Sequence, residues 1–143
     1  MNSDEYVLGV TSLWALLPVA LILDRPITTA QSLISISTFI ATFASLKYWL
    51  SEGPNVNWGK FDKVCARTLF FILCVNSQKI TFPICVGGSY LISYKTNSFL
   101  WHLIFRYFGV WWIYSLLVPH LVYFDNFLLL TYGYWIHILY LKV

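Results

Sequence analysis

The side chains that could perform chemistry in this chain lie within or beside long apolar stretches. They comprise a serine, an aspartate, two histidines and an arginine, namely Ser45, Asp62, His102, Arg106 and His137. Ionisable groups inside a membrane span are costly unless they are paired or hydrated, so they are candidates for function. Two histidines and a carboxylate are suitable zinc ligands, and an open fourth position on zinc can activate a water molecule.

The two histidines lie in a predicted transmembrane hairpin. Pro119 separates two apolar runs of 22 residues each, residues 97–118 and 120–141. Each run is long enough to cross a hydrocarbon core about 30 Å thick at about 1.5 Å per residue. His102 is 17 residues before Pro119 and His137 is 18 residues after it. An antiparallel hairpin therefore places the two histidines at nearly the same depth.

A polar layer is predicted at the depth of these histidines. Arg106 follows His102 by four residues and shares its helical face. Asp62 enters the third apolar segment from the same side, and Ser45 lies near that end of the second. Ser45 and Asp62 are the candidate catalytic groups, and the candidate zinc ligands are His102, His137 and Asp62. A structural alternative stays open, in which the histidines hydrogen-bond between helices and Arg106 pairs with Asp62 or extends to the interface.

The composition indicates a membrane protein. Hydrophobic residues make up 59% of the chain and charged residues 10%, against roughly 45–50% and about 25% in soluble domains. Too few polar side chains are present to cover a surface that faces water. The formal net charge of +3 is spread along the chain without a basic run, which argues against a nucleic-acid partner.

The apolar segments predict an all-α, polytopic integral membrane protein with about six transmembrane helices, some of them short or kinked. Residues 1–143 form a single transmembrane domain, and Pro18 interrupts the first helix. Residues 50–60 are predicted to be the one substantial loop. Residues 61–94 form either two short spans, which we favour, or a re-entrant pair. The four segments before the hairpin are residues 6–23, 28–49, 61–76 and 80–94.

A row of small hydroxylated residues follows one face of the second predicted helix. Its members are spaced by three, four and three residues: Ser35, Thr38, Thr42 and Ser45. Small polar residues let helices approach closely in lipid and hydrogen-bond across the interface. We expect this face to pack against protein, and the alternative is that it forms the polar wall of an internal cavity.

The distribution of basic residues predicts the orientation in the membrane. Six spans place six Lys and Arg residues on one side and two on the other. The excess marks the cytoplasmic or equivalent side, so both termini are expected to face it. The six are Lys47, Lys60, Lys63, Arg67, Lys95 and Lys142, and the two are Arg25 and Lys79.

Ser45, Asp62 (in the segment FDKVCAR), His102 and His137 together resemble part of the site of the alkaline ceramidase and PAQR (CREST) superfamily. The resemblance implies a zinc-dependent membrane hydrolase that acts on a lipid amide. The chain differs from the family in three respects. Leu-Lys-Tyr stands at 46–48, where the family has a histidine after the serine, and the last helix has one histidine instead of two. The family also has one more span. These differences imply a degenerate member.

The function predicted from the sequence is that of a small integral membrane protein with a non-enzymatic role. It would serve as a structural subunit or scaffold, with the lipid bilayer and other membrane proteins as its partners. This prediction depends on the incomplete catalytic set and on the lack of room for an extramembrane domain. Two alternatives stay open: a zinc-dependent hydrolase of a lipid amide, and a proton or ion pathway through Arg106 and the histidines.

Overall fold

The computed structural model describes residues 3–50, 56–118 and 124–142, and every regular element in those ranges is helical. The predicted all-α class is therefore confirmed. The first run consists of α1 (Ser3–Thr11), a 3₁₀ turn (Ser12–Ala15) and α2 (Leu16–Leu21). The helices that follow are α3 (Thr29–Leu50), α4 (Val56–Val75), α5 (Thr81–Thr96), α6 (Phe99–Leu117) and α7 (Phe124–Lys142).

The first helical run is irregular on the N-terminal side of Pro18. Proline has no N–H to donate to the carbonyl of Trp14, four residues earlier. The backbone tightens into the 3₁₀ turn instead, where the Trp14 carbonyl accepts a shorter-range hydrogen bond. Just before the turn, the Thr11 hydroxyl donates to the carbonyl of Val7 at 2.7 Å. The predicted interruption by Pro18 is thus observed as a change of helix type.

The predicted loop over residues 50–60 is wrong in its second half, because α4 already begins at Val56. The turn-forming residues there are overridden by packing against α3. A Cβ atom on Gly59 would lie 3.0 Å from the ring of Tyr48. The ring of Trp58 lies 6.1 Å from that of Phe43, edge to face. Tertiary contacts of this kind outweigh local propensity.

From the first helical run onwards, consecutive helices run in opposite directions. The start of one helix therefore lies beside the end of another at the same end of the bundle. Lys63, early in α4, lies 5.0 Å from the ring centroid of Tyr94, late in α5. Lys142, at the end of α7, lies 4.6 Å from the ring of Phe99 at the start of α6. Its ammonium group also pairs with Asp4 of α1 at 2.6 Å. We call the end marked by these five residues the charged end.

The polarity of α3 is inverted relative to a helix of a soluble protein. Thr38, Thr42 and Ser45 are buried, and Ser35 is half-buried. Large apolar residues lie on the outside: Leu33, Ile36, Phe39, Ile40 and Phe43 are all exposed. The hydroxylated face therefore lies inside the protein. Ser35 and Thr38 do not line a cavity, whereas Thr42 and Ser45 form part of the wall of an internal cavity, so both interpretations of this face apply to part of it.

Within the described residues, two helical stretches are long and apolar enough to cross a membrane, Asp4–Leu21 and Thr29–Leu50. Only 33% of each is buried within the protein. Residues 61–94 form two separate helices, of which α4 carries several charges and α5 has only 16 residues. At about 1.5 Å per residue, α5 is about 24 Å long, shorter than the roughly 30 Å hydrocarbon core.

Helices α6 and α7 are joined by side-chain hydrogen bonds between antiparallel partners. The hydroxyl of Tyr107 lies 2.6 Å from that of Thr131. The buried hydroxyl of Tyr134 donates to the carbonyl of Leu103 at 2.9 Å. These pairs show the antiparallel register expected of the predicted hairpin. The turn itself, at residues 119–123, lies outside the described residues.

Candidate functional site

An interior cavity of about 330 Å³ lies between α3, α4, α5 and α6, with the 3₁₀ turn along one side. The cavity opens at the charged end, where the exposed residues Lys63, Tyr94 and Asn97 contribute to its lining. Its volume is at the lower end of the roughly 300–1,000 Å³ that is typical of small-molecule sites. It also contains Ser45, Asp62, His102 and Arg106, four of the five residues predicted to form the polar layer.

Arg106 connects three helical segments beside this cavity. From α6, its Nη1 group donates to the carbonyl of Leu8 in α1. Its Nη2 group donates to the hydroxyl of Ser45 in α3 at 3.1 Å. Arg106 therefore points into the protein and does not extend to the interface. The Nε group is buried and has no hydrogen-bond partner in the described part of the chain.

Asp62 and His102 line the cavity, and in the described chain their polar groups are not used in hydrogen bonds to other side chains. Within the described ranges, neither side chain forms a hydrogen bond to protein, and Asp62 has no ion pair within 4.0 Å. Asp62 lies in the field of the Arg106 charge without direct contact. The His102 ring packs against the rings of Trp49 and Phe105, at centroid distances of 6.2 Å and 5.9 Å.

His137 lies outside the cavity and contacts a different part of the protein. Its Nδ1 atom accepts a hydrogen bond of 2.9 Å from the indole N–H of Trp14. The pairing of Leu103 with Tyr134 places His102 and His137 at nearly the same level, as the count from the turn predicted. The two rings nevertheless face different neighbours, because residues at one level can point in different directions around their helices.

The residues present do not fit the zinc site that the sequence suggested. His137 is not among the residues that line the cavity with His102 and Asp62. No group of three or more His, Cys, Asp and Glu residues is arranged to hold a metal ion within the part of the chain that the structure describes. The guanidinium of Arg106 is also a fixed positive charge beside the remaining ligands, and it would repel a divalent cation. The predicted set of three metal ligands is therefore not assembled.

The predicted catalytic pair is brought to one cavity but is not connected. The hydroxyl of Ser45 accepts a hydrogen bond from Arg106. Asp62 forms no hydrogen bond to Ser45 in this structure, and an activated serine requires a base within hydrogen-bonding reach. Ser45 is thus hydrogen-bonded to a cationic donor, Arg106, and not to the base that would activate a serine in a hydrolase.

Two functional groups at this cavity were missed by sequence reasoning. Trp49 and Tyr90 line the cavity, and the indole N–H of the first and the hydroxyl of the second are buried without a hydrogen-bond partner in the described chain. No spacing rule could have joined these two, because they come from different helices, α3 and α5.

Three buried polar groups without partners in the described chain belong to residues that line this cavity: the Nε of Arg106, the indole N–H of Trp49 and the hydroxyl of Tyr90. Roughly 90% or more of buried polar groups in proteins are hydrogen-bonded, so three unpaired groups on the lining residues of one cavity are unusual. No protein-family model, curated protein or solved structure matches this chain. The resemblance to the CREST superfamily stays a prediction, and the interpretation of the cavity depends on its geometry.

Proposed function

We propose that this chain is a small multi-pass integral membrane protein with a non-enzymatic role, serving as a subunit or scaffold in a membrane assembly. The observation that carries the proposal is the inverted polarity of α3. Thr38, Thr42 and Ser45 are buried within the protein, and the large apolar side chains of this helix face outwards. In water, exposing this apolar surface would cost a free energy of about 25 cal/mol for each Å². In a bilayer it is favourable, because the outward residues contact lipid or another apolar helix.

The exposed surfaces of the other helices support a multi-pass arrangement. A core helix of a soluble protein would be mostly buried, whereas only 33% of Asp4–Leu21 and of Thr29–Leu50 is buried. The shorter or more charged helices carry similar outward residues, including Leu91 and Ile92 on α5, and Leu129, Ile136 and Leu139 on α7. These helices would complete six spans, with α5 leaning on its neighbour α6.

The charged end supports a common location for both termini. The ion pair between Asp4 and Lys142 joins the beginning of α1 to the end of α7. Lys63 lies at the same end, and Lys47 and Lys95 lie in the last turns of helices that finish there. By the positive-inside rule, this end would face the cytoplasm or its equivalent.

The orientation can be tested with single cysteines in a variant from which Cys65, Cys74 and Cys85 have been removed. We expect a membrane-impermeant maleimide to label Asn2→Cys and Val143→Cys from the same side of sealed vesicles. Thr28→Cys, between α2 and α3, serves as the control and should be labelled from the opposite side. Labelling of the two termini from opposite sides would exclude an even number of spans. Release of the protein from membranes by alkaline carbonate would exclude integral insertion.

The role as a subunit predicts a complex larger than the single chain. After purification from its native membrane in a mild detergent, we expect a protein mass at least about twice 16.6 kDa. Light scattering with the detergent contribution subtracted measures this mass directly. A mass equal to that of one chain would contradict the subunit role, while leaving the membrane topology to be decided by the labelling.

A further inference from the structure

We propose that the interior cavity binds a single-chain amphiphile whose head group carries anionic oxygen atoms. This binding site goes beyond the proposed scaffold role, which does not require a ligand. The cavity has a polar region at the charged end and an apolar region deeper in the bundle. An amphiphile with its head group at the mouth would satisfy both regions at once.

The head group is indicated by the unpaired donors. The Nε of Arg106, the indole N–H of Trp49 and the hydroxyl of Tyr90 can each donate a hydrogen bond, and each is buried without an acceptor in the described chain. Their residues line the cavity, but each donor atom exposes less than 1 Å², so a head group would bind to it together with a small movement of the side chain. Leaving buried donors unpaired is unfavourable, and hydrogen bonds to a charged acceptor are stronger than neutral ones. Carboxylate and phosphate oxygens are acceptors that can receive several such bonds.

The charges of the lining favour an anion over a cation. Lys63 and Arg106 are positive and Asp62 is negative, so the formal charge of these three groups is +1. Asp62 forms no ion pair within 4.0 Å in the described structure, so its charge does not cancel that of Arg106 by direct contact. Charges are poorly screened away from water, so the remaining positive charge would attract an anionic head group.

The tail is indicated by the deeper part of the cavity. Its lining there is apolar and includes Leu73, Val86, Val110 and Ile113. Apolar cavities hold water poorly, so a hydrocarbon chain is a better occupant of this region than water. A volume of about 330 Å³ is small for a site of this type and suits one hydrocarbon chain rather than two.

A pair of glycines on different helices provides a matched test of occupancy. Gly109 lines the cavity, and a Cβ atom built on it has no neighbour within 4 Å. A Cβ atom is therefore tolerated at this position, and the longer side chain of Gly109→Leu should occupy part of the cavity. Gly88 has equally free space around its Cβ position, but it is exposed and does not line the cavity. Gly88→Leu is the control, because it makes the same chemical change outside the site.

The binding experiment uses the full chain in phosphatidylcholine nanodiscs, with radiolabelled dodecanoate and dodecyl phosphate as probes and empty nanodiscs as the background. We expect saturable binding of at least one probe, at least about tenfold weaker in Gly109→Leu and unchanged in Gly88→Leu. The probe that binds more tightly assigns the head group as carboxylate or phosphate. Butyrate and inorganic phosphate, which lack the chain, should not compete.

Variants of the head-group region keep the test decisive if Gly109→Leu fails to fold. Trp49→Phe and Tyr90→Phe each remove one donor while keeping an aromatic ring, and we expect roughly tenfold weaker binding in each. Asp62→Asn removes the negative charge of the lining and should tighten binding of the anionic probe severalfold.

Three results would overturn the proposal: no saturable binding of either probe, equal binding by the wild-type protein and Gly109→Leu, or preferential binding of dodecyltrimethylammonium that weakens in Asp62→Asn. The first would leave water as the occupant, and the last would make the ligand a cation.

Discussion

Replacement of Arg106 by lysine is expected to lower the free energy of unfolding by about 2–3 kcal/mol, although the charge is kept. The guanidinium donates to the Leu8 carbonyl and to the Ser45 hydroxyl from two different nitrogens. A lysine ammonium is a single compact group and cannot reproduce a planar fork that reaches two helices. The substitution would therefore keep a buried charge while removing at least one charge-assisted hydrogen bond.

Denaturant-dependent unfolding in mixed micelles measures this effect, and Arg67→Lys is its matched control. Arg67 is exposed on α4, so the same substitution there should change the stability by less than about 0.5 kcal/mol. A double-mutant cycle of Arg106→Lys with Ser45→Ala should give a coupling energy above about 0.5 kcal/mol, because the two residues are in contact. Equal stability of Arg106→Lys and the wild-type protein would show that the bridge does not hold the helices together.

The inward orientation of Arg106 and the buried face of α3 could both be predicted from the sequence, for related physical reasons. A lone cation in lipid is costly, so Arg106 had to turn towards protein. The 3-4-3 spacing of Ser35, Thr38, Thr42 and Ser45 fixes one helical face irrespective of how the helix is placed. The orientation of Arg106 and the buried face of α3 each depend only on one helix and on the solvent around it. A local sequence pattern is enough to specify them.

The partners of each polar side chain could not be predicted in the same way. Counting from the hairpin turn gives the level of His102 and His137, since each residue adds about 1.5 Å along a helix. The direction of each ring depends on the rotation and neighbours of the whole helix. His102 consequently faces Trp49 of α3, whereas His137 bonds to Trp14 of the 3₁₀ turn. The beginning of α4 at Val56 was missed for a similar reason, because its packing against α3 overrides the local turn signals.

A second large effect is expected where α1 approaches α3. A Cβ atom on Gly9 would lie 2.6 Å from Cδ2 and 2.7 Å from Cγ of Leu50, and 3.3 Å from Cβ of Trp49. We expect Gly9→Ala to lower the free energy of unfolding by about 1–3 kcal/mol, the usual range for overpacking. The Leu50 atoms belong to a flexible side chain that can move, whereas Cβ of Trp49 is fixed by the backbone of α3. The gain in helix propensity from Gly to Ala, at most about 1 kcal/mol, acts in the opposite direction and offsets only part of the cost of moving these groups.

Two further variants distinguish the clash at position 9 from the general effect of replacing a helical glycine by alanine. They are Gly88→Ala and the combination of Gly9→Ala with Leu50→Ala. Gly88 has no heavy atom within 4 Å of its Cβ position, so Gly88→Ala should be neutral or stabilising by up to about 1 kcal/mol. Leu50→Ala removes the atoms that Gly9→Ala would meet, and it should recover stability in the double variant by more than additivity predicts.

The same close approach positions the carbonyl of Leu8, next to Gly9, for its hydrogen bond from Arg106. Gly9→Ala should therefore also reduce the stability difference between arginine and lysine at position 106, because a displaced α1 moves that acceptor away. Unfolding measurements on the two single variants and their combination test this coupling. Strict additivity of the two substitutions would mean that the contact between α1 and α3 and the bridge made by Arg106 are independent.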